Sequence, residues 1–398
     1  MKKILFIAPD SYPINGAESI VNIKLLSVLS QSEDFHIDLI SKNSKVKEYK
    51  SNSLEELGVK VNSINVIEVD NRLTMKSIFG HLASLFKFGV VFKGSHWAVK
   101  ALTVALRLCE NNKYDYVLTK NASAPLVGAY LKKNKGLKWV ATWNDPYPHY
   151  LYPPIYANFF KAKKTIMMEK VVSLMRKADM HIFPSKQLRD YMITNLKIEE
   201  VDTIIIPHVA IPKKIEKKFA ENKLRMIHSG SIAYPRNAEI FLRGLKLFIE
   251  KNNVTNISFD ILGSSDNQTK QNVKELQLEE YVNFLPPVSY NKSLEMLKEY
   301  DVAVIVEAIL EKGIFLPTKV ADFMQERMPI LAISPNDGVL RDLYESSNVN
   351  YFANNESVDS VYEALCNVYK DFTLKKLQSS SIPSAYSPTE VVKKYRNI

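Results

Sequence analysis

Short apolar runs alternate with longer helical segments along this chain, and the alternation limits its possible folds more than any other feature. In the first half the runs are continuously apolar, which indicates strands buried on both faces of a sheet. The segments between them have helical spacing, as at Ala17, Val21 and Leu25. This rhythm predicts a mainly parallel sheet with helices on both sides. The strand candidates are 3–8, 36–40, 114–119, 137–142, 179–183 and 203–206.

The second half repeats the rhythm. Its strand candidates are 224–229, 257–262, 282–285, 301–306, 329–333 and 349–352, and its helix candidates are 237–251, 267–277, 291–299, 318–326, 338–345 and 357–377. Two prolines and a charged run place a boundary near 208–222. The sequence therefore predicts an α/β fold of two Rossmann-like, doubly wound domains that face a cleft. We expect the domains at 1–208 and 209–378, and a final helix within 379–398 that returns to the first domain.

Charge is distributed unevenly between the halves. Residues 1–200 hold 29 Lys and Arg against 18 Asp and Glu, whereas residues 201–398 hold 24 against 25. A basic half indicates an anionic partner: nucleic acid, anionic lipid or a phosphorylated substrate. The basic, aromatic, helical stretch 76–107 is typical of an interfacial membrane helix, and equally of a helix packed on a sheet. No nucleic-acid motif accompanies it, so we expect no nucleic-acid partner.

The number of cysteines, the length of the apolar runs and the spacing of metal-ligating residues bear on cellular location and metal chemistry. The only cysteines, Cys109 and Cys366, exclude a disulfide scaffold and a four-thiolate zinc site. The first apolar run is too short for a signal peptide, and no apolar run is long enough to span a membrane. We therefore expect a cytoplasmic protein, with peripheral contact at the inner face of the plasma membrane left open. Metal-ligand spacings are missing, so we expect neither a metal nor a cofactor.

Two turns indicate phosphate binding. Gly16 lies between a strand and a helix, where backbone N–H groups can hold phosphate oxygens. It stands alone, so neither the dinucleotide fingerprint nor a Walker loop is present, and a plain tight turn is the alternative. In the second half Gly230 and Ser231 form a small-residue turn, and Arg236 follows before a helix. An arginine beside such a turn suits a diphosphate, because guanidinium offers paired donors; a solvated surface arginine is the alternative.

A further pair of charges lies at the start of a predicted helix. Lys319 and Asp322 are three residues apart and so share one face. A lysine at a helix N-terminus opposes the helix dipole, which indicates an anionic ligand. The carboxylate one turn later can accept two hydrogen bonds from a ribose diol. A surface ion pair is the alternative.

The segment after the strand candidate 137–142 concentrates aromatic and polar groups. Trp143, Asn144 and Tyr147 are candidates for the acceptor side, since aromatic faces stack on sugars and amides bond hydroxyls. Asp145 and His149 can bond hydroxyls or carry protons, and are candidate catalytic groups. A packed loop core is the alternative interpretation.

Together these segments resemble the GT-B glycosyltransferases, most closely glycosyltransferase family four, including bacterial transferases of surface-polysaccharide and lipopolysaccharide assembly. The stretch from Pro317 to Phe323 is similar to the family's proline-x-lysine-x-x-glutamate-tyrosine motif. The resemblance implies that Lys319 contacts the donor diphosphate and that Asp322 holds the ribose. It also implies that the Gly16 loop faces the phosphates, and that Gly263 and Pro286 lie in turns that frame the base.

The sequence departs from the family pattern at two places. The family's two glutamates eight residues apart are replaced by Ile314 and Asp322, with Glu307 or Glu311 left as a substitute for the first. The family's N-terminal histidine falls within 143–145, which leaves Asp145 or His149 in its place. Glu311 is therefore a candidate donor-binding residue. Arg236 and Lys319 are candidate catalytic residues as well as donor-binding ones, because they would neutralise the leaving diphosphate.

The resemblance implies a retaining, metal-independent transfer from a nucleotide-diphosphate sugar to a saccharide. A lipid-linked saccharide suits the basic first half. A nucleotide-sugar epimerase or hydrolase of the same fold is the alternative enzyme. A non-catalytic two-lobed binding protein is the alternative from another class.

Overall fold

The computed structural model describes residues 1–14, 16–44, 54–69, 74–120, 123–213, 217–220 and 222–398. The chain forms two compact units. The N-terminal unit comprises Met1–Val209 and Pro388–Ile398, and the C-terminal unit comprises Ala210–Ser387. Each has its own parallel sheet, so the prediction of two doubly wound α/β domains is confirmed.

The N-terminal unit is built on a seven-stranded sheet in the order β3-β2-β1-β4-β5-β6-β7, with every neighbouring pair parallel. Its strands are β1 (Lys2–Ile7), β2 (Phe35–Ser44), β3 (Ser63–Val69), β4 (Tyr116–Lys120), β5 (Trp139–Thr142), β6 (Met180–Phe183) and β7 (Thr203–Ile205). Its helices are α1 (Ala17–Ser30), α2 (Met75–Phe88), α3 (Ser95–Asn111), α4 (Ala124–Lys135), α5 (Pro154–Phe159), α6 (Ile166–Met175), α7 (Lys186–Leu196) and, at the C-terminus, α14 (Pro388–Arg396). The central strands β1, β4 and β5 are almost completely buried, as their continuous apolarity indicates.

The structure corrects the sequence prediction in this unit at two places. Strand β3 is absent from the predicted strands, because it lies at the sheet edge and alternates polar and apolar residues. The stretch 76–107 is two helices rather than one. Helix α2 ends at Gly89 in the left-handed region (φ 71°), and Gly94 (φ 95°) precedes α3.

The C-terminal unit is built on a six-stranded parallel sheet in the order β10-β9-β8-β11-β12-β13. Its strands are β8 (Leu224–Ser229), β9 (Ile257–Leu262), β10 (Val282–Leu285), β11 (Val302–Val306), β12 (Ile330–Ser334) and β13 (Tyr351–Asn354). Its helices are α8 (Glu239–Asn252), α9 (Asn267–Glu275), α10 (Tyr290–Met296), α11 (Thr318–Gln325), α12 (Val339–Glu345) and α13 (Val358–Thr373). Two apolar clusters form the core, one on each face of the sheet.

In each sheet the strand order reverses beside the first strand of its unit. That point lies between β1 and β4 in one sheet and between β8 and β11 in the other. The helices flanking a doubly wound sheet diverge at such a point, and ligands bind there, outside the carboxyl ends of the strands.

Candidate functional sites

Four polar side chains meet at the reversal point of the C-terminal sheet, and we call them the C-terminal cluster: His228, Arg236, Glu307 and Lys319. His228 lies on β8, and Glu307 directly follows β11. Lys319 is the second residue of α11. Arg236 acts electrostatically on both His228 and Lys319, and Glu307 acts on Lys319. The fold therefore collects two cations, one carboxylate and one imidazole at the edge where a doubly wound domain binds its ligand.

Hydrogen bonds fix the protonation of His228. Its Nδ1 lies 3.0 Å from the carbonyl oxygen of Val304, which can only accept. The proton is therefore assigned to Nδ1, and Nε2 accepts from Lys319 Nζ at 2.8 Å. Burial lowers the pKa of His228 well below its usual range, and the charges of Lys319 and Arg236 lower it further. The imidazole is thus neutral and holds the ammonium by a single directed bond.

The ammonium group of Lys319 is partly withdrawn from solvent. Burial lowers its pKa, the positive charge of Arg236 lowers it further, and the Glu307 carboxylate opposes both. Burial also raises the pKa of Glu307, against the opposing effects of Arg236 and Lys319. A cation held in these surroundings gains from an additional anionic partner, because a second negative charge offsets its cost of desolvation.

Two glycines shape the backbone beside Lys319. Gly230 has φ 119°, and a Cβ there would lie 3.1 Å from Lys319 Nζ. Gly263 has φ 139°, and a Cβ there would lie 2.7 Å from the carbonyl oxygen of Gly230. The adjoining hydroxyls of Ser231 and Ser264 are 3.0 Å apart. Both turns thus require glycine, and they bring two loop ends into direct contact beside the ammonium.

The other donor-site candidates of this unit are Asp322, Pro286 and Glu311, and the structure places each in a different element or loop. Asp322 is one turn after Lys319 on α11, and its Oδ1 accepts a hydrogen bond from Tyr290 at 2.7 Å. Pro286 is exposed just after the edge strand β10. Glu311 is exposed in the loop before α11, whereas Glu307 belongs to the C-terminal cluster. Of the two substitute glutamates, the fold places Glu307 beside the cations.

In the N-terminal unit, a cavity of about 220 Å³ opens beside the end of β5; we call it the N-terminal cavity. The candidate residues Trp143, Asn144, Asp145, Tyr147 and His149 all line it. Its other lining residues are Asp10, Glu18, Thr142, Pro146 and Tyr152. The predicted acceptor-side segment therefore lines a cavity of the structure. Three carboxylates, Asp10, Glu18 and Asp145, also line it, and their oxygens can accept hydrogen bonds from hydroxyl groups.

The aromatic candidates differ in how far their rings are buried and in what they pack against. Trp143 is only 2% exposed, and its Nε1–H donates to His181 Nδ1 at 3.0 Å. Its ring belongs to the core of the unit and offers no open face for stacking on a sugar, which corrects that expectation. His149 stacks on Phe160 with ring centroids 4.6 Å apart, and burial lowers its pKa. Burial raises the pKa of Tyr147, whose phenol therefore stays protonated.

Gly16 lies at the start of α1 with extended backbone (φ 172°) that any residue can adopt. A Cβ at this position would meet no atom within 4 Å. The structure thus gives no steric reason for glycine here. The neighbouring Asn15 lies outside the described residues. Glu18, in the first turn of α1, is more informative, because its side chain lines the N-terminal cavity.

One residue of this site carried no sequence signal. Lys120, the last residue of β4, is 2% exposed, and Glu18 and Asp145 act on it electrostatically. A single lysine after an apolar strand resembles an ordinary solvated strand end. Only the sheet order, which puts β4 at the reversal point, shows that this lysine is enclosed.

The described part of the chain has neither a metal-ligand cluster nor a membrane-spanning helix. Within the described ranges, no group of three or more His, Cys, Asp or Glu side chains is arranged to hold a metal ion. No helix of the described chain has the length and apolarity needed to cross a membrane.

The family model described as Glycosyltransferase Family 4 matches residues 70–210. Among curated proteins, no relative matches the sequence. Solved structures match at low identity. HepE from Anabaena, in complex with UDP and glucose, has 13% identity and a TM-score of 0.64 over 100% of this chain and 99% of its own. The apo lipopolysaccharide outer core galactosyltransferase WaaB has 13% identity and a TM-score of 0.63, over 99% and 98%. A putative UDP-N-acetylglucosamine 2-epimerase from Listeria monocytogenes has 10% identity and a TM-score of 0.57, over 99% and 94%.

At these identities the structural matches establish the fold, which is the two-domain Rossmann-like fold predicted from the sequence. They confirm the predicted GT-B fold. The prediction of a glycosyltransferase is supported by the family match over residues 70–210. The predicted resemblance to family four is likewise confirmed, through the match within the N-terminal unit.

Proposed function

We propose that this protein transfers a glycosyl unit from a uridine-diphosphate sugar to a saccharide acceptor. The observation that carries the proposal is the pair of cations, Arg236 and Lys319, beside the Gly230 turn at the reversal point of the C-terminal sheet. Departure of a nucleoside diphosphate builds negative charge on the leaving oxygens. Cations held in place before the reaction stabilise that charge without reorganisation.

The choice of uridine draws on the structural neighbours. HepE has been solved with UDP and with UDP-glucose. We propose that Asp322 bonds the ribose diol, because the Tyr290 hydroxyl donates to one of its carboxylate oxygens and orients it. We propose that Arg236 and Lys319 hold the diphosphate, so that the reaction needs no metal. We also propose retention of the anomeric configuration, as the family resemblance implies.

Nucleotide binding tests the donor site directly. Thermal unfolding is followed with UDP, GDP, dTDP and ADP in the presence of EDTA. We expect UDP alone to raise the unfolding temperature. At about one hundred times its dissociation constant, it should stabilise the protein by roughly 2.7 kcal/mol. Arg236→Ala should abolish the shift, and Arg243→Ala is the matched control, since Arg243 forms an exposed ion pair with Glu239 on α8. No shift with any nucleotide in the wild-type protein would contradict the proposal.

Product analysis separates transfer from the alternatives. With UDP-sugar and no acceptor, a transferase should release little sugar, whereas an epimerase or hydrolase would consume the donor. NMR of the product's anomeric proton reports whether the configuration is retained. An inverted product would refute the proposed stereochemistry while leaving the donor site intact.

We further propose that the acceptor is lipid-linked and that α2 contacts an anionic membrane. One side of this helix is buried through Ser77, Ser84 and Phe88. Gly80 packs so closely on α3 that a Cβ there would lie 2.8 Å from His96 Cβ. The large apolar side chains point the other way, and Phe79 and Phe86 are 64% and 88% exposed. The exposed apolar residues of α2 are Met75, Ile78, Phe79, Leu82, Leu85 and Phe86.

An exposed apolar stripe with basic neighbours is what interfacial binding requires. Lys87 lies in the last turn of α2, and the first 200 residues carry the positive excess of the chain. Burial of aromatic side chains in the lipid interface and attraction to anionic headgroups then act together.

Vesicle flotation tests this contact. We expect binding to phosphatidylglycerol-containing vesicles at low salt, and weaker binding to purely zwitterionic ones. Phe86→Glu should reduce binding at least tenfold. Leu374→Glu is the matched control, because Leu374 is an exposed apolar residue of the C-terminal unit. Equal flotation of Phe86→Glu and wild type would exclude α2 as the contact.

A further inference from the structure

The buried lysine of the N-terminal unit, Lys120, is used neither by the proposed donor site nor by the membrane contact. It ends β4, where its register partner on the neighbouring strand is Thr142 of β5. A small cavity there is lined by Lys120, Thr142 and Asn144. Asn144 and Thr142 also line the N-terminal cavity, so the lysine lies directly behind one of its walls.

Two carboxylates of that wall act electrostatically on the ammonium. Glu18 on α1 and Asp145 after β5 both act on Lys120 and oppose the effect of burial. Burial nevertheless lowers the pKa of Lys120 to about 8. An ammonium withdrawn from water is tolerated only where opposite charge compensates it, and here both compensating groups also line the cavity.

The two carboxylates are also held by neutral donors. Asn144 Nδ2 lies 2.7 Å from each oxygen of Glu18. The hydroxyl of Tyr152 donates to Asp145. Each carboxylate therefore has one neutral donor that fixes its orientation and one shared cation that stabilises its charge. Without the cation, two like charges would share one wall with no shared positive charge to offset their repulsion.

We propose that Lys120 is a positioning residue: it pairs with Glu18 and Asp145 and holds both carboxylates in place to accept the hydroxyl groups of a neutral sugar in the N-terminal cavity. The pairing rests on the burial of Lys120, on the electrostatic effect of the two carboxylates and on the residues that the two cavities share. The sugar ligand rests on the proposed transfer function. A net negative wall of this kind excludes an anionic group from the same position. The substrate class is therefore a saccharide bound through its hydroxyls.

The surroundings of Lys120 also define its response to pH. The charged and titratable groups around it are Glu18 from α1, Asp145 from the loop after β5, His208 from the segment after β7, and Tyr395 from α14. As pH rises through the pKa of Lys120, the ammonium loses its charge, and the two carboxylates lose their shared cation. Sugar binding through the pair should then weaken, which gives an alkaline limb near pH 8.

A direct test follows the ionisation of Lys120 by NMR of the full chain labelled with ¹³C-lysine, with its signal assigned by loss in Lys120→Arg. We expect a titration midpoint below that of ordinary lysines. Glu18→Gln and Asp145→Asn should each lower the midpoint further, because each removes a compensating charge. An unchanged midpoint in both variants would overturn the pairing, whatever the protein's activity.

Kinetics then test the role in sugar binding. Lys120→Met should reduce kcat/KM for the acceptor at least tenfold and leave the dissociation constant for UDP within twofold. Lys120→Arg keeps the charge but cannot titrate in this range, so it should retain most activity and lose the alkaline limb. Lys217→Arg is the matched control: burial also lowers the pKa of Lys217 to about 8, but it bonds the carbonyl of Leu297 in the other unit.

The outcomes separate the two proposals. An alkaline limb that persists in Lys120→Arg, or that Lys217→Arg also removes, would overturn the role of Lys120. Wild-type protein that binds no UDP and transfers no sugar would refute the proposed function instead, and the NMR titration would still decide the pairing. Should Lys120→Met fail to fold, Lys120→Arg and the two carboxylate variants suffice.

Discussion

Replacing Lys319 by alanine tests the donor site most sharply. The substitution removes the ammonium that His228 Nε2 holds at 2.8 Å and that lies beside the Gly230 turn. If this cation stabilises the leaving diphosphate, its loss should cost the transition state about 3 kcal/mol, or on the order of a hundredfold in turnover.

The same substitution has a smaller, partly cancelling effect on folding. His228 is fully buried and loses the partner of Nε2, which costs about 1–3 kcal/mol. The cost of burying the Lys319 ammonium disappears at the same time. We therefore expect the urea midpoint to change little while turnover falls strongly. A parallel fall in both would indicate a structural role alone.

The assay is steady-state transfer at saturating UDP-sugar and acceptor, with the nucleotide dissociation constant measured separately. Lys312→Ala is the matched control, since Lys312 forms an exposed ion pair with Asp337 at 3.1 Å. Such a pair contributes little. A fall in turnover of less than tenfold in Lys319→Ala, with folding intact, would remove Lys319 from the site.

Two further predictions concern stability. Gly263→Ala should destabilise the C-terminal unit by about 3 kcal/mol, because its φ of 139° strains any side chain and its Cβ would lie 2.7 Å from Gly230 O; Gly313→Ala, which meets only contacts of 3.6 Å or more, should lower the urea midpoint far less. Burial lowers the pKa of His181 to about 4. Below about pH 6.5 the unfolded chain therefore binds a proton at this histidine, whereas the folded unit does not until the pH approaches 4. The N-terminal unit should therefore lose about 2 kcal/mol between pH 7 and pH 5, and His181→Gln should flatten that dependence in urea titrations; equal slopes would contradict the assignment.

The strands that the sequence located best are the ones buried on both faces. Continuous apolarity marks β1 and β11, because a central strand of a parallel sheet has no solvent-facing side. Strand β3 escaped the same criterion, since an edge strand exposes alternate residues. The split between α2 and α3 was equally hidden, because a helical apolar pattern continues across Gly89 and Gly94.

The candidate sites are predictable only in part, because local turn residues can be recognised in the sequence whereas contacts set by the sheet order cannot. Turn chemistry pointed to Gly230 and Arg236, which depend on residues close together in sequence. Lys120 depends instead on which strand stands at the reversal point, and a sheet order is a long-range property. The choice of Glu307 over Glu311 is similar, because four residues of loop decide which carboxylate reaches the cations.

The C-terminal helix α14 has a consequence for the order of assembly during synthesis. It packs in the N-terminal unit, where Tyr116 Oη donates to the carbonyl oxygen of Tyr395 at 3.4 Å and Lys394 Nζ to that of Ile205 at 2.7 Å. The ribosome makes this helix after the whole C-terminal unit. The first unit to be translated is therefore the last to be completed, and until then Tyr116 on β4 and Ile205 on β7 lack these hydrogen-bond partners. A chaperone that binds the nascent chain has its longest opportunity on this face of the sheet.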